Sequence, residues 1–287
     1  MADDFENLSL GNKKLKKNDL DGAMHHFYSI LKENKDNIRL YLTNFDLFCK
    51  NQITKQNFNF LKTICEYYFK DNYVHHQLGF KKALKFTKFY KINSLNNKSI
   101  LNLINLEIIN DKLLHLILKK CLLADLDLEC YLKKLRNKLL EKFLFEKNNQ
   151  FFLKIYFFLI AFAEQCFFNE FIYSESEKEI ELLSILEKKI KKKKYICEIS
   201  TLLLSLYKPL NKINYLETKL NNYVSKSKEF NDFLKFVFKD PKLDKKISKS
   251  LKSLSNFSNI TSKLMKSQYE ENPYPRWRFT ARPVHEQ

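Results

Sequence analysis

The scarcity of glycine constrains the fold of this chain more than any other feature of its sequence. Only three glycines (Gly11, Gly22 and Gly79) and five prolines occur in 287 residues. Strands, hairpins and nucleotide-binding turns depend on these residues for tight or left-handed backbone geometry. An apolar content of 45% still supplies a sizeable core. The sequence therefore predicts an all-α protein.

The formal net charge of +18 comes from lysine rather than arginine. A basic surface attracts polyanions, and the best local candidate is the lysine tract at residues 188–194. Lysines also suit the C-terminal end of a helix, where the helix dipole is negative. Solvated helix faces are the favoured interpretation, so a nucleic-acid partner is not expected. A recognition-helix signature is also missing.

The sequence indicates a cytoplasmic protein without a metal site. Six cysteines are scattered without a C-x-x-C pair, as expected for free thiols in a reducing compartment. The acidic N-terminus predicts no secretory signal, and the most apolar stretch, residues 151–163, is too short to span a bilayer. The adjacent histidine pairs point in different directions on a helix, so we expect no metal ligands there.

Residues 1–98 are predicted to form a tetratricopeptide-like helical region. Gly11, Ala23 and Phe27 keep the repeat's spacing, in which small residues let two helices pack closely. The pattern predicts helices over residues 6–16 and 21–33, with Asp19 or Asp21 as a cap. Further repeats are predicted to be degenerate. Residues 99–207 then read as a central, irregular helical array, because their leucines recur at helical spacing.

A polar row is predicted within the most apolar part of this array, at Gln165, Asn169 and Glu170. Gln165 and Asn169 are four residues apart, which places them on one helical face. Such groups need hydrogen-bond partners, so a buried network that fixes helix packing is one interpretation. A surface that receives another domain or a substrate is the other. Cys166 lacks a nearby histidine and is not expected to be a nucleophile.

The C-terminal part is predicted to be a helical connector at residues 208–267 and an extended aromatic and proline segment at 268–287. Each proline fixes φ and pushes the preceding residue toward extended geometry. Two roles are open for this segment, a clasp on the helical body or a lid that docks on another domain. Its candidate residues are Tyr269, Asn272, Pro273, Tyr274, Pro275, Arg276 and Trp277.

Three stretches, at residues 124–140, 165–173 and 268–277, resemble the region ahead of the catalytic domain in bacterial S-adenosylmethionine-dependent methyltransferases with N-terminal tetratricopeptide repeats. The resemblance implies a non-catalytic helical part that binds a substrate or partner and docks to a catalytic domain, in cis or in trans. S-adenosylmethionine is then the cofactor of the parent enzyme and not of this chain. The cofactor loop of that fold needs glycine, and the last glycine here is Gly79. We therefore expect a truncated chain with no catalytic residues. The alternative is a stand-alone helical scaffold that binds a protein or peptide.

Overall fold

The computed structural model describes residues 2–34, 37–95, 103–146, 149–250 and 259–271. These residues form helices and no strand, which confirms the predicted all-α class. The helices are α1 Ala2–Lys16, α2 Leu20–Glu33, α3 Ile38–Lys50, α4 Phe58–Lys70, α5 His76–Leu84, α6 Lys88–Leu95, α7 Leu106–Ile109, α8 Lys112–Lys120, α9 Leu126–Phe145, α10 Asn149–Lys154, α11 Tyr156–Phe168, α12 Glu177–Lys192, α13 Glu198–Ser205, α14 Asn214–Asn221, α15 Lys228–Leu234, α16 Asp240–Ser250 and α17 Ile260–Glu271. A 3₁₀ turn at Leu210–Lys212 and a π-helical turn at Lys235–Lys239 complete them.

The chain divides into two compact units. The described part of the first contains residues 2–34, 37–95 and 111–121, and that of the second contains 103–110, 122–146, 149–250 and 259–271. Within the described residues, no helix is both long enough and apolar enough to cross a membrane. Each unit has its own buried apolar core.

The first unit begins with a tight helical hairpin, α1 and α2. Asp19 caps α2 by accepting a 2.9 Å hydrogen bond from the Gly22 amide, and it pairs with Lys14 at 2.8 Å. Asn18 takes the left-handed conformation (φ 57°) that this short turn requires. A Cβ on Gly11 would lie 2.3 Å from the Phe27 ring, so only glycine permits this closeness. Ala23 and Phe27 are both buried.

A polar network joins the start of α2 to the loop between α3 and α4. The Asn51 side-chain amide donates to Asp21 at 2.7 Å, and the Asn57 amide donates to both Asp21 oxygens at 3.0 and 3.1 Å. Both asparagines are buried. Buried amides are expensive unless hydrogen-bonded, so this network specifies how the loop lies on α2.

His76 is another buried polar residue of this unit. Its Nε2 lies 2.6 Å from the Asp71 carbonyl oxygen, which also accepts a 2.7 Å hydrogen bond from Lys120 Nζ. Burial, reinforced by the Lys120 charge, lowers the pKa of His76 to about 4. The imidazole is therefore neutral in the folded protein at pH 7.

The second unit is built around α11. Ten consecutive residues of this helix, Phe158 to Phe167, are buried, because α11 packs against α13, α15 and the π-helical turn. Helix α12 packs against α9 and α13 in the same unit. At Asp240–Pro241 the chain stays helical and passes from the π turn into α16. Pro241 directly follows the π turn, where the Asp240 amide donates to the Lys235 carbonyl and the regular α-helical hydrogen-bond pattern is already interrupted.

Candidate functional site

Arg136 is the largest fully buried side chain of the second unit, with 1% of its surface exposed. It lies on the apolar face of α9 between the buried Leu132, Leu135 and Leu139. A charged side chain is almost never fully buried unless its charge is compensated. The groups that surround Arg136 are therefore the natural starting point for a site.

The compensation comes from one carboxylate, three main-chain carbonyls and an aromatic ring. Arg136 Nη2 lies 3.3 Å from Glu179 Oε1 and donates at 3.3 Å to the Ser174 carbonyl. Weaker contacts of 3.4 and 3.5 Å reach the carbonyls of Tyr173 and Leu206. The guanidinium carbon lies 4.0 Å from the centroid of the Tyr207 ring, which favours a cation over its face.

Glu179 serves both this network and the start of α12. Its Oε2 accepts from the Ser176 amide at 2.9 Å, and Ser176 Oγ accepts from the Glu179 amide. This reciprocal pair is a capping box, which satisfies free N–H groups at a helix start. The Tyr207 hydroxyl donates to Glu179 Oε1 at 3.1 Å. Burial raises the pKa of Tyr207 far above its usual range, so the phenol remains a donor.

A strained turn connects α11 to this network. Asn169 caps the C-terminus of α11, and the next two residues, Glu170 and Phe171, both have φ of 59°. The Phe171 amide donates to the Cys166 carbonyl at 2.9 Å and lies 3.2 Å from Asn169 Oδ1. Left-handed geometry costs a residue with a side chain ~1–2 kcal/mol. The turn presents Ile172, 63% exposed, to solvent.

The polar row predicted at Gln165, Asn169 and Glu170 is only partly present. Gln165 is buried and Asn169 is half-buried, but Glu170 is exposed. The prediction assumed that the helix continues through Glu170, whereas α11 ends at Phe168 and the left-handed turn redirects the chain. Cys166 is fully buried, and burial raises its pKa to about 12, so its thiol is not an activated nucleophile.

The predicted docking segment falls largely outside the described residues. Its members Asn272, Pro273, Tyr274, Pro275, Arg276 and Trp277 are not among them. Tyr269 belongs to α17, which continues to Glu271. Residues 268–271 are therefore helical, and the extended segment does not begin at residue 268 as predicted. Proline acts on the residue immediately before it, so Pro273 leaves the helix free to continue to Glu271.

Two features of the sequence could have pointed to the network around Arg136, although residue spacing alone did not identify it. Arg136 is one of five arginines in a lysine-rich chain, and it lies within an apolar helical pattern. Ser176 and Glu179 have the spacing of a capping box ahead of a helix. No local pattern pointed to Tyr207, which lies far from both in the chain.

The network orders main chain rather than presenting a reactive group. Arg136 ties α9 to the carbonyls that follow the strained turn, and Glu179 ties the same arginine to the start of α12. Among the described residues, no group of three or more His, Cys, Asp or Glu side chains could hold a metal ion. The arrangement therefore fixes the position of an exposed turn.

Comparisons with known proteins add no relative. No family model, no curated protein and no solved structure matches the chain.

Proposed function

We propose that this chain is the non-catalytic, tetratricopeptide-like helical part of an S-adenosylmethionine-dependent methyltransferase, acting in the cytoplasm. In this role it binds a substrate or partner and docks to a catalytic domain. One observation carries the proposal: two of the stretches that carry the resemblance, residues 124–140 and 165–173, meet in a single buried network through Arg136 and the Tyr173 carbonyl. Two stretches that share one function should belong to the same structural unit, and this network joins them.

The strained turn is the proposed docking surface. Strained backbone persists only when its surroundings over-determine it, and surface positions of this kind are concentrated in ligand clamps and binding loops. On the side of the turn that faces the core, Arg136 donates hydrogen bonds to the carbonyls of Tyr173 and Ser174. Lys133 donates a 2.6 Å hydrogen bond to Ser174 Oγ. On the solvent-facing side of the turn, Ile172 offers an apolar side chain to a partner.

Cofactor binding is assigned to the catalytic domain. The methionine moiety of S-adenosylmethionine is approached by backbone at a glycine-containing turn after a strand. The described residues contain no strand, and the last glycine of the sequence, Gly79, lies inside α5. The free state of all six cysteines agrees with a reducing compartment.

Titration calorimetry with the separately produced catalytic domain of a methyltransferase of the resembled family tests the docking role. We expect binding, and we expect Ile172→Asp to weaken it at least about tenfold, because a charge replaces an apolar contact. Val224→Asp is the matched control, since Val224 is 79% exposed in the same unit. No binding by the unaltered chain favours a stand-alone scaffold, and an equal effect of both variants removes the turn from the interface.

A second titration, with S-adenosylmethionine alone, separates docking from cofactor binding. We expect no heat of binding from the chain by itself and a signal only when the catalytic domain is present. Micromolar binding by the isolated chain would show that the helices build a cofactor site, and the proposed division between the two parts would be wrong.

A further inference from the structure

Six lysines surround the C-terminal end of α12 and are all exposed: Lys188, Lys189, Lys191, Lys192, Lys193 and Lys194. We call them the lysine cluster. Composition alone favoured solvated helix faces for this tract. The structure adds three observations, on the neighbouring helix, on the nearby carboxylates and on an exposed ring.

The first observation is that α14 lies beside the cluster and contributes to it. Lys219 Nζ donates a 2.7 Å hydrogen bond to the Lys193 carbonyl, which brings a seventh ammonium group to the site. Lys191 Nζ lies 4.7 Å from the centroid of the Tyr215 ring. The positive surface is therefore assembled from two chain segments rather than from a single solvated helix end.

The second observation is that the carboxylates around the cluster are engaged by other groups. Glu187 pairs with Lys208 at 2.7 Å, and Glu217 pairs with Lys242 at 2.5 Å. Glu198 accepts from the hydroxyls of Tyr156, Tyr223 and Ser225. Within the part of the chain that the structure describes, no ion pair involves any of the six lysines. These six ammonium groups therefore have no ion-pair partner in that part of the chain, and their concentrated positive charge attracts an external anion.

The third observation is Tyr195, which follows the cluster directly and is 79% exposed. An exposed ring beside a row of cations is how proteins hold single strands, because phosphates meet the charges and bases stack on the ring. A membrane-binding helix would instead need a continuous apolar face. The apolar residue within the tract, Ile190, is buried in the protein, so the cluster lacks such a face.

We infer that the lysine cluster and Tyr195 form a site that binds single-stranded nucleic acid independently of its base sequence. Lysine is a compact point charge that meets phosphate without the fixed fork of arginine, so recognition of the backbone is expected to be general. The inference does not depend on the proposed methyltransferase role.

Fluorescence anisotropy with a labelled single-stranded oligonucleotide of about 16 nucleotides tests the site. The variant replaces Lys188, Lys189, Lys192 and Lys194 by glutamine. Its matched control replaces Lys239, Lys245, Lys246 and Lys249, which are exposed lysines of the same unit, and changes the net charge equally. We expect at least about tenfold weaker binding for the first set, and a salt dependence shallower by about 3 in the slope of log K against log salt. The control should bind almost as well as the unaltered chain.

Tyr195→Ala separates stacking from charge. We expect about fivefold or greater loss of affinity with an unchanged salt slope, because a base contact is lost and no phosphate contact is. Equal losses in the two lysine variants, or an unaffected Tyr195→Ala variant, would overturn the site. So would a duplex that binds as tightly as the single strand, or phosphatidylserine vesicles that displace the oligonucleotide.

Discussion

Substitution of the buried Arg136 tests most directly whether its polar network stabilises the second unit. Arg136→Met keeps an unbranched, mainly apolar side chain and removes the charge and its five donors. Glu179, whose side chain is 4% exposed, then keeps its carboxylate in the interior without its cation. The carbonyls of Tyr173, Ser174 and Leu206 lose the same donor.

The expected cost is about 3–5 kcal/mol in the free energy of unfolding, the usual range when one partner of a buried pair is removed. Glu179→Gln should cost less, about 1–3 kcal/mol. Glutamine still forms the capping box with Ser176, and Arg136 keeps its carbonyls and the Tyr207 ring. The double variant should cost less than the sum of the two, because it leaves no uncompensated charge.

Urea denaturation followed by far-ultraviolet circular dichroism measures the change, and hydrogen exchange in peptides from α9 and α12 assigns it to the second unit. Lys134→Met is the matched control, because Lys134 lies on the exposed side of the same helix. Its effect should stay within about 0.5 kcal/mol. A cost below about 1 kcal/mol for Arg136→Met, or additive costs in the double variant, would refute the argument that this network holds the unit together.

Two further predictions concern the first unit. Gly11→Ala should destabilise it by about 1 kcal/mol despite alanine's better helix propensity, because the new Cβ would lie 2.3 Å from the Phe27 ring; a raised urea midpoint would contradict this. The pKa of His76 is lowered to about 4 by burial, so the folded state binds this proton less readily than the unfolded state, whose pKa is near 6.5. This contribution is complete above about pH 6.5 and is lost as the pH falls toward 4, so about 2–3 kcal/mol should disappear between pH 7.5 and 4.5. His76→Gln should remove that part of the pH dependence, and an equally steep dependence in the variant would show that other groups cause it.

The all-α fold class could be predicted from the sequence because it follows from the scarcity of glycine. With three glycines there is little material for tight turns between strands, and the described residues form helices and no strand. Helix starts with a strong local signal were also accessible. The predicted second helix, residues 21–33, coincides closely with α2, and Asp19, one of the two predicted caps, caps it. These signals depend on a few neighbouring residues.

The features that sequence reasoning missed depend on distant contacts or on unusual backbone geometry. Arg136 meets Tyr173, Glu179 and Leu206 at separations of 37, 43 and 70 residues, which no local pattern encodes. The end of α11 was missed for a different reason. Helices commonly stop at a glycine in the left-handed conformation, but this chain uses Glu170 and Phe171 there. Without the usual stop signal, residue spacing extended the helix by two residues and placed Glu170 in the core.

The hydrogen bonds of the buried network offset the energetic cost of the strained turn. Two left-handed residues with side chains together cost ~2–4 kcal/mol, which a relaxed loop would avoid. Arg136 offsets this cost because its guanidinium binds the carbonyls of Tyr173 and Ser174, the second and third residues after Phe171. The positive charge of the guanidinium is in turn tolerated in the core because Glu179 and Tyr207 compensate it. Burial of Arg136 is thus the means by which a turn without glycine holds Ile172 at a fixed place on the surface of the protein.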